Sequence, residues 1–183
     1  MSVLNGIQPI RSFNLTPEWA MRNHGQPFRC KGCGECCKHL VGKRFGMAIL
    51  PETMRVLKAY SDKHELGFNP APLTREYGVV TLYQFTQSEC PFHDTHNKKC
   101  RVYERRPLVC RMFPLHPYAV MTCFGLDRQV RTDQVQFSPE METAVKLYSA
   151  LIDSKITSAH EVYDLNRGWV PKGKHRVIMQ RLT

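Results

Sequence analysis

Cys30, Cys33, Cys36, Cys37, Cys90, Cys100, Cys110 and Cys123 are the residues of this 183-residue chain whose type and spacing could do chemistry. The first four lie in Cys30-Lys31-Gly32-Cys33-Gly34-Glu35-Cys36-Cys37, a C-x2-C-x2-C-C run that puts four thiols within reach of one another on a short loop. Thiolates are soft ligands that select zinc, copper(I) and iron–sulfur clusters, and Gly32 and Gly34 let a backbone wrap such a centre without Cβ clashes. A metal or an iron–sulfur cluster is the first reading, with all eight cysteines as candidate ligands.

The competing reading is a disulfide framework, which needs an oxidising compartment and usually a short secreted chain. The first ten residues contain no charged stretch followed by a long apolar one, so they do not read as a signal peptide. No apolar run approaches the roughly 18 residues of a membrane helix. These features point to a soluble, cytoplasmic chain whose thiols stay reduced. Adjacent Cys36 and Cys37 would also bridge to each other only with strain.

Cys100 and Cys110 flank Tyr103-Glu104-Arg105-Arg106-Pro107, which can form one helical turn that folds the second thiol back toward the first. Pro91 and Pro114 stiffen the exits. Arg106 or Arg111 could pair with Glu104 or donate to cluster sulfur, where hydrogen bonds and local charge set the reduction potential. A solvated basic face is the alternative for each. His39, His93, His96 and His116 lie close to cysteines in sequence and could replace a ligand, although a surface or hydrogen-bonding histidine is the commoner case.

Both cysteine groups together resemble a known family. Cys90-Pro91-Phe92, then Cys100-Arg101-Val102-Tyr103-Glu104-Arg105-Arg106-Pro107-Leu108-Val109-Cys110-Arg111-Met112-Phe113-Pro114, is similar to the second signature of the CxxCxxCC cysteine-cluster family of zinc- or iron-chelating proteins. Cys30 to Cys37 is similar to its first. The two signatures run from Cys30 to Pro114, slightly under half the chain. Family members often carry a further cysteine before a small turn, where Cys123-Phe124-Gly125 stands here without the usual proline. Related domains stand beside a protein-lysine methylase with a cluster of iron–sulfur type, so the resemblance implies a centre and not a reaction.

Sites of four thiolates suit zinc and iron alike. The C-x2-C-x2-C triplet is the spacing that wraps three corners of a cubane in bacterial ferredoxins, with the fourth ligand remote. Cys36 and Cys37, being neighbours, are expected to point in different directions and to serve different centres. Eight thiols then divide as four plus four, giving two [4Fe-4S] clusters. One cluster with spare cysteines, and zinc, stay open as alternatives.

Net charge is +10, and it is unevenly spread. Residues 1–44 carry seven Lys/Arg against two acids and residues 98–111 six against one, whereas residues 45–97 carry four against six. The excess sits in the segments that hold cysteines. Basic side chains there could offset the negative charge of thiolate-bound clusters, or form a face for an acidic partner protein. No helix-turn-helix, RNP-like or zinc-finger spacing directs this charge to nucleic acid. Catalytic motifs are missing as well. The first cysteine spacing departs from the radical-SAM C-x3-C-x2-C, and no G-x-G-x-x-G, P-loop or H-E-x-x-H occurs.

The elements that must position these thiols can be read coarsely. Thr16-Pro17-Glu18 predicts a helix from Pro17 to about His24, and Pro51-Glu52 predicts another ending near Gly67 with Met54, Leu57 and Tyr60 on its apolar face. Residues 46–50 read as extended, Asn69 to Pro72 as a rigid loop, Tyr77 to Phe85 as a strand, and Cys90 to Tyr103 as a hairpin around His93 to Lys99. Pro117 to Thr122 reads as extended. Ser138-Pro139-Glu140 caps a helix to about Ser154 with Met141, Val145, Tyr148, Leu151 and Ile152 on one face. Ser158 to Arg167 predicts a further helix capped by Gly168, and Trp169 to Thr183 a basic edge strand or docking arm.

The fold class expected is α+β: a small, irregular cysteine-rich core with several short helices and a few short strands. It divides into an N-terminal extension (1–29), a cysteine-cluster domain (30–125) and a C-terminal helical segment with a basic tail (126–183) packed on the same core. The functional expectation is an accessory or regulatory iron–sulfur protein, its clusters a structural fastening or a redox and oxygen sensor, docking on an acidic partner. An electron-transfer or cluster-dependent enzyme component, and a zinc scaffold, are the alternatives.

Overall fold

A computed structural model of the chain describes residues 26–27, 30, 33–116, 119–120 and 135–172. In chain order they form β1 (Gln26–Pro27), a 3-10 turn (Glu35–Cys37), β2 (Ala48–Ile49), α1 (Pro51–Lys63), β3 (Ala71–Glu76) and β4 (Val79–Gln84). There follow β5 (His93–Asp94), β6 (Lys99–Cys100), a second 3-10 turn (Tyr103–Arg105), α2 (Leu108–Met112), β7 (Leu115–His116), β8 (Ala119–Val120) and β9 (Val135–Gln136). The last elements are α3 (Pro139–Tyr148), a π-helical turn (Ser149–Asp153), α4 (Ser154–Ser158), β10 (Glu161–Asp164) and β11 (Gly168–Pro171). This is a small α+β fold. No helix among the described residues is long and apolar enough to cross a membrane.

Five strands make an antiparallel sheet in the order β11-β10-β3-β4-β2. Its centre is a hairpin closed by Tyr77 and Gly78, whose φ angles of 48° and 82° give the two-residue turn that matches the twist of paired strands. The expected strand from Tyr77 therefore starts two residues later, and β3 occupies much of what read as a rigid loop. Pro72 misled that reading. It is tolerated because β10 pairs with β3 only at Thr74 and Arg75, and the register slips between Pro72 and Thr74, so no neighbour needs its missing N–H.

Each face of the sheet carries its own core. Leu73, Leu82 and Ala48 face Val109 and Met112 of α2 and Ala144, Tyr148, Ile152 and Ile156 of the C-terminal helices. Ile49 and Phe85 belong to the other core, with Leu57 of α1, Leu40, Phe68, Phe92 and Val102. The alternation Ala48/Ile49 sends successive side chains to opposite cores, as pleating requires. α1 starts at Pro51 as its N1 proline predicts, and it ends at Lys63. Glu65 (φ 55°) and Gly67 (φ 70°) then reverse the chain, and the Phe68 N–H returns to the Ser61 hydroxyl at 2.9 Å.

Two C-terminal expectations change. Ser138 does cap α3, accepting from the Met141 N–H, but the helical path continues to Ser158 and leaves Leu151 40% exposed. The π turn widens the repeat so that Tyr148, Ile152 and Ile156, four residues apart, all face the core. Residues 161–167, expected within a helix from Ser158 to Arg167 capped by Gly168, belong instead to the β10–β11 hairpin. Val162 and Asp164 point inward there, Gly168 (φ 75°) makes the turn, and the open edge of β3 captures the segment. β11 is the edge strand expected at Trp169. The Pro17–His24 helix and the tail from residue 173 lie outside the described residues.

Buried polar groups tie the sheet together. Gln84 accepts the Gly46 N–H at 2.6 Å and donates to the carbonyls of Pro72 and Tyr163, each at 2.8 Å. A Cβ on Gly46 would stand 1.8 Å from the Phe85 carbonyl oxygen, so glycine is required there. Asp164, fully buried, accepts from the Arg44 guanidinium at 2.6 Å and from the Asn166 N–H at 2.9 Å.

Candidate metal centre

Three separated segments bring the cysteines together. In the first, Gly34 takes a left-handed φ of 74° and starts the tight turn that holds Cys36 and Cys37, closed by the Cys37 N–H on the Gly34 carbonyl at 2.9 Å. The second segment docks on it through the Cys90 N–H to the Cys37 carbonyl at 2.7 Å and the Leu40 N–H to the Ser88 carbonyl at 3.0 Å. Cys90 leads into the β5–β6 hairpin, in which His93 pairs with Cys100, as the hairpin expected over these residues requires. The turn expected between Cys100 and Cys110 is present at Tyr103–Arg105, and α2 then carries Cys110.

Thiol contacts join these segments. Cys36 donates to Cys37, and Cys37 in turn to Cys90, while Cys100 and Cys110 lie close enough to Cys36 for their charges to be felt. The expectation that Cys36 and Cys37 point apart is not met. Their thiols bond to each other, and Cys37 reaches on to Cys90. Cys30 reaches the field of Cys100, and Cys30 and Cys33 are the two exposed thiols. Cys90 and Cys100 pack against the Phe92 core and Cys110 against the Met112 core, so the group sits where the two cores meet. All seven described cysteines are free of disulfides. Cys123 lies outside the described residues.

Crowding raises the thiol pKa values. The hydrogen bond to Cys37, then burial, pushes Cys36 far up. At Cys37 the bond from Cys36 acts downward, but the bond to Cys90 and burial outweigh it, and the thiol is pushed up to about 12. Burial is the first cause at Cys100 and Cys110, both raised. The Arg106 guanidinium opposes the shift at Cys36, Cys100 and Cys110. Arg106 is fixed for that purpose, donating to the Tyr103 carbonyl at 2.8 Å with its guanidinium 3.6 Å from the Tyr103 ring centre. Arg111 does not pair with the Glu104 carboxylate. It donates to the carbonyls of Glu104 at 2.7 Å and Arg106 at 3.0 Å, bracing the turn.

The histidines separate by environment. His39 and His96 are exposed, and the side chain of His116 is outside the described set. His93 differs. Its Nε2 is buried with no hydrogen-bond partner among the described residues, and its ring lies against Gly34, where a Cβ would stand 2.1 Å from Cε1. Sequence spacing ranked His93 with the other three; only burial distinguishes it.

The donor set fits a thiophilic metal centre, since several soft ligands converge from three segments. Among the described residues no three His, Cys, Asp or Glu side chains are gathered as a ready-made site for a bare ion. The profile of the CxxCxxCC family matches residues 29–144, more than half of the chain, under the description "putative zinc- or iron-chelating domain". This chain belongs to that family. An uncharacterized protein of Methanocaldococcus jannaschii is 32% identical over 108 residues, which are 56% of this chain and 50% of that relative. The chain thus spans about half the length of that curated relative. No solved structure matches.

Proposed function

We propose that this protein holds an iron–sulfur centre in its converged thiols and acts as an accessory or regulatory protein, the centre serving as a fastening between its two cores and as a sensor of oxygen or redox state. One observation carries this reading: Cys36, Cys37 and Cys90 are linked thiol to thiol, and Cys100 and Cys110 lie near enough for their charges to be felt, so five soft sulfur donors surround one place. A [4Fe-4S] cluster needs four thiolates, and a second would draw on Cys30, Cys33 and Cys123 as well. When bound, such a cluster supplies one-electron chemistry and negative charge. Arg106 would offset the charge, and the Cys90–Cys37 backbone bond would hold the two ligand loops in register.

Sensing follows from placement. Cys30 and Cys33 are open to solvent, so oxidants reach the centre at that side, and loss of its ligands would free the loops from the two cores. Lys98, Lys99 and Arg105 are exposed beside the centre, and an acidic protein is the partner whose charge complements them.

Iron, sulfide and zinc content of protein purified without oxygen tests the reading. About four iron and four sulfide per chain support one cubane and about eight of each support two. Stoichiometric zinc without sulfide would replace this reading with a zinc-stabilised scaffold, which the family description equally admits.

A further inference from the structure

We propose that His93 is itself a ligand, supplying Nε2 to the same centre as the cysteines, so that the donor set mixes thiolate sulfur with one imidazole nitrogen. The inference rests on the reading that the thiols hold a metal. Buried imidazole nitrogens are normally hydrogen-bonded, and an unpaired one costs its full desolvation. His93 Nε2 is buried and finds no partner among the described residues.

Its position explains what such a nitrogen could serve. His93 and Cys100 are directly paired across the β5–β6 hairpin, so their side chains leave the same face with Cβ atoms about 5 Å apart. From there the ring reaches the opposite loop and lies against Gly34, between Cys33 and Cys36 in sequence. The backbone on each side thus ties the imidazole to a cysteine: Cys100 through the strand pair, and the first cysteine run through the Gly34 contact. The His93 N–H is also anchored on the Cys90 carbonyl at 3.1 Å, which fixes the base of the side chain. Gly34 acquires a second reason to be glycine, since any Cβ there would displace the ring. Neutral imidazole in place of a thiolate makes the centre one charge less negative, and histidine ligation raises cluster potentials.

The test uses the full chain purified without oxygen, wild type against His93→Leu and His93→Cys, with histidine labelled by ¹⁵N. Leucine keeps an apolar filler against Gly34, and circular dichroism checks that the fold persists. Metal content is measured first. In iron-loaded protein, pulsed electron paramagnetic resonance of the reduced state should show a strongly coupled nitrogen that changes with the label and vanishes in both variants. In zinc-loaded protein, X-ray absorption should show a nitrogen at about 2.0–2.1 Å beside sulfur at about 2.3 Å. His93→Leu should release metal to a chelator at least tenfold faster, and His93→Cys should restore retention. A fully loaded wild type with no coupled nitrogen, or one that persists in His93→Leu, overturns the ligand assignment and leaves the thiolate centre standing. Wild type that binds no metal overturns both.

Discussion

The sheet half and the cysteine half of this molecule cohere by different physics. In the sheet half, Leu82, Val162 and Ile49 of the strands and Leu57 of α1 are fully removed from water, and every strand of the sheet but the short edges is bonded on both sides. In the cysteine half, residues 33–39 contain no buried hydrophobic side chain, and the loop is held by a few backbone bonds and by thiols that touch one another. The first half is stabilised by apolar burial and by the buried hydrogen bonds of Gln84 and Asp164. In the second, the hairpin and α2 rest on the two cores through Phe92, Val102 and Met112, but the first cysteine loop has no apolar anchor of its own and would gain most from a group bound by its thiols.

Removing the metal should break this comparison most sharply. Chelator with reductant is expected to remove a contribution on the order of 10 kcal/mol from the cysteine half, and Cys36→Ser should reproduce much of it. Hydrogen exchange would rise across residues 33–40 and 88–112 while amides of β3, β4 and β10 stay protected. Simultaneous loss of protection in both halves would show that they are one cooperative unit. Leu82→Ala should cost about 2–5 kcal/mol by leaving a cavity in the sheet core, read by denaturant unfolding, with metal content unchanged. Gln84→Ala removes three buried hydrogen bonds at once, and about 2–4 kcal/mol should be lost on the same scale.

The two halves should also titrate oppositely. Burial acts upward on the Asp164 carboxyl, but the Asn166 N–H and the Arg44 guanidinium outweigh it and hold the group below its usual range. Its contribution is complete above the unfolded value of about 3.9 and is lost as pH falls toward the lower folded value. Asp164→Asn should flatten that acid limb of a stability–pH curve. The Cys36, Cys37, Cys100 and Cys110 thiols are raised instead. Whatever order the cysteine half keeps without metal should be greatest below about 8.5 and weaken as pH rises above it. Metal uptake must displace these protons, so affinity should increase over the same range. An apo protein equally stable at pH 7 and pH 10 would contradict the crowded, protonated state of these thiols.

Local signals made part of this legible. Pro51 and Ser138 start helices where capping chemistry says they should, and the cysteine hairpin closes between Cys90 and Tyr103. Misreadings arose where the sheet overrode local preference. Pro72 read as loop because a proline in a central strand is unusual, and only the slipped register and the absent β10 partner make room for it. Residues 161–164 read as helix because neither their composition nor Gly168 reveals the open edge of β3. At the site, the grouping of thiols was visible from spacing, but the contact of Cys37 with Cys90 and the buried Nε2 of His93 depend on segments far apart in sequence.

The hydrogen bond from the Cys90 N–H to the Cys37 carbonyl carries a consequence for how the protein is made. During synthesis the first cysteine run leaves the ribosome well before Cys90, Cys100 and Cys110 exist as chain. Its thiols then have no hairpin to lean on, and both cores are unfinished: one awaits Phe92 and Val102, the other β10 and the C-terminal helices. A centre held by all three segments would therefore load late, and chains stalled before Cys110 would present its thiols without the full set of donors. Quality control that samples nascent or truncated copies would find in those open thiols a direct mark of incompleteness.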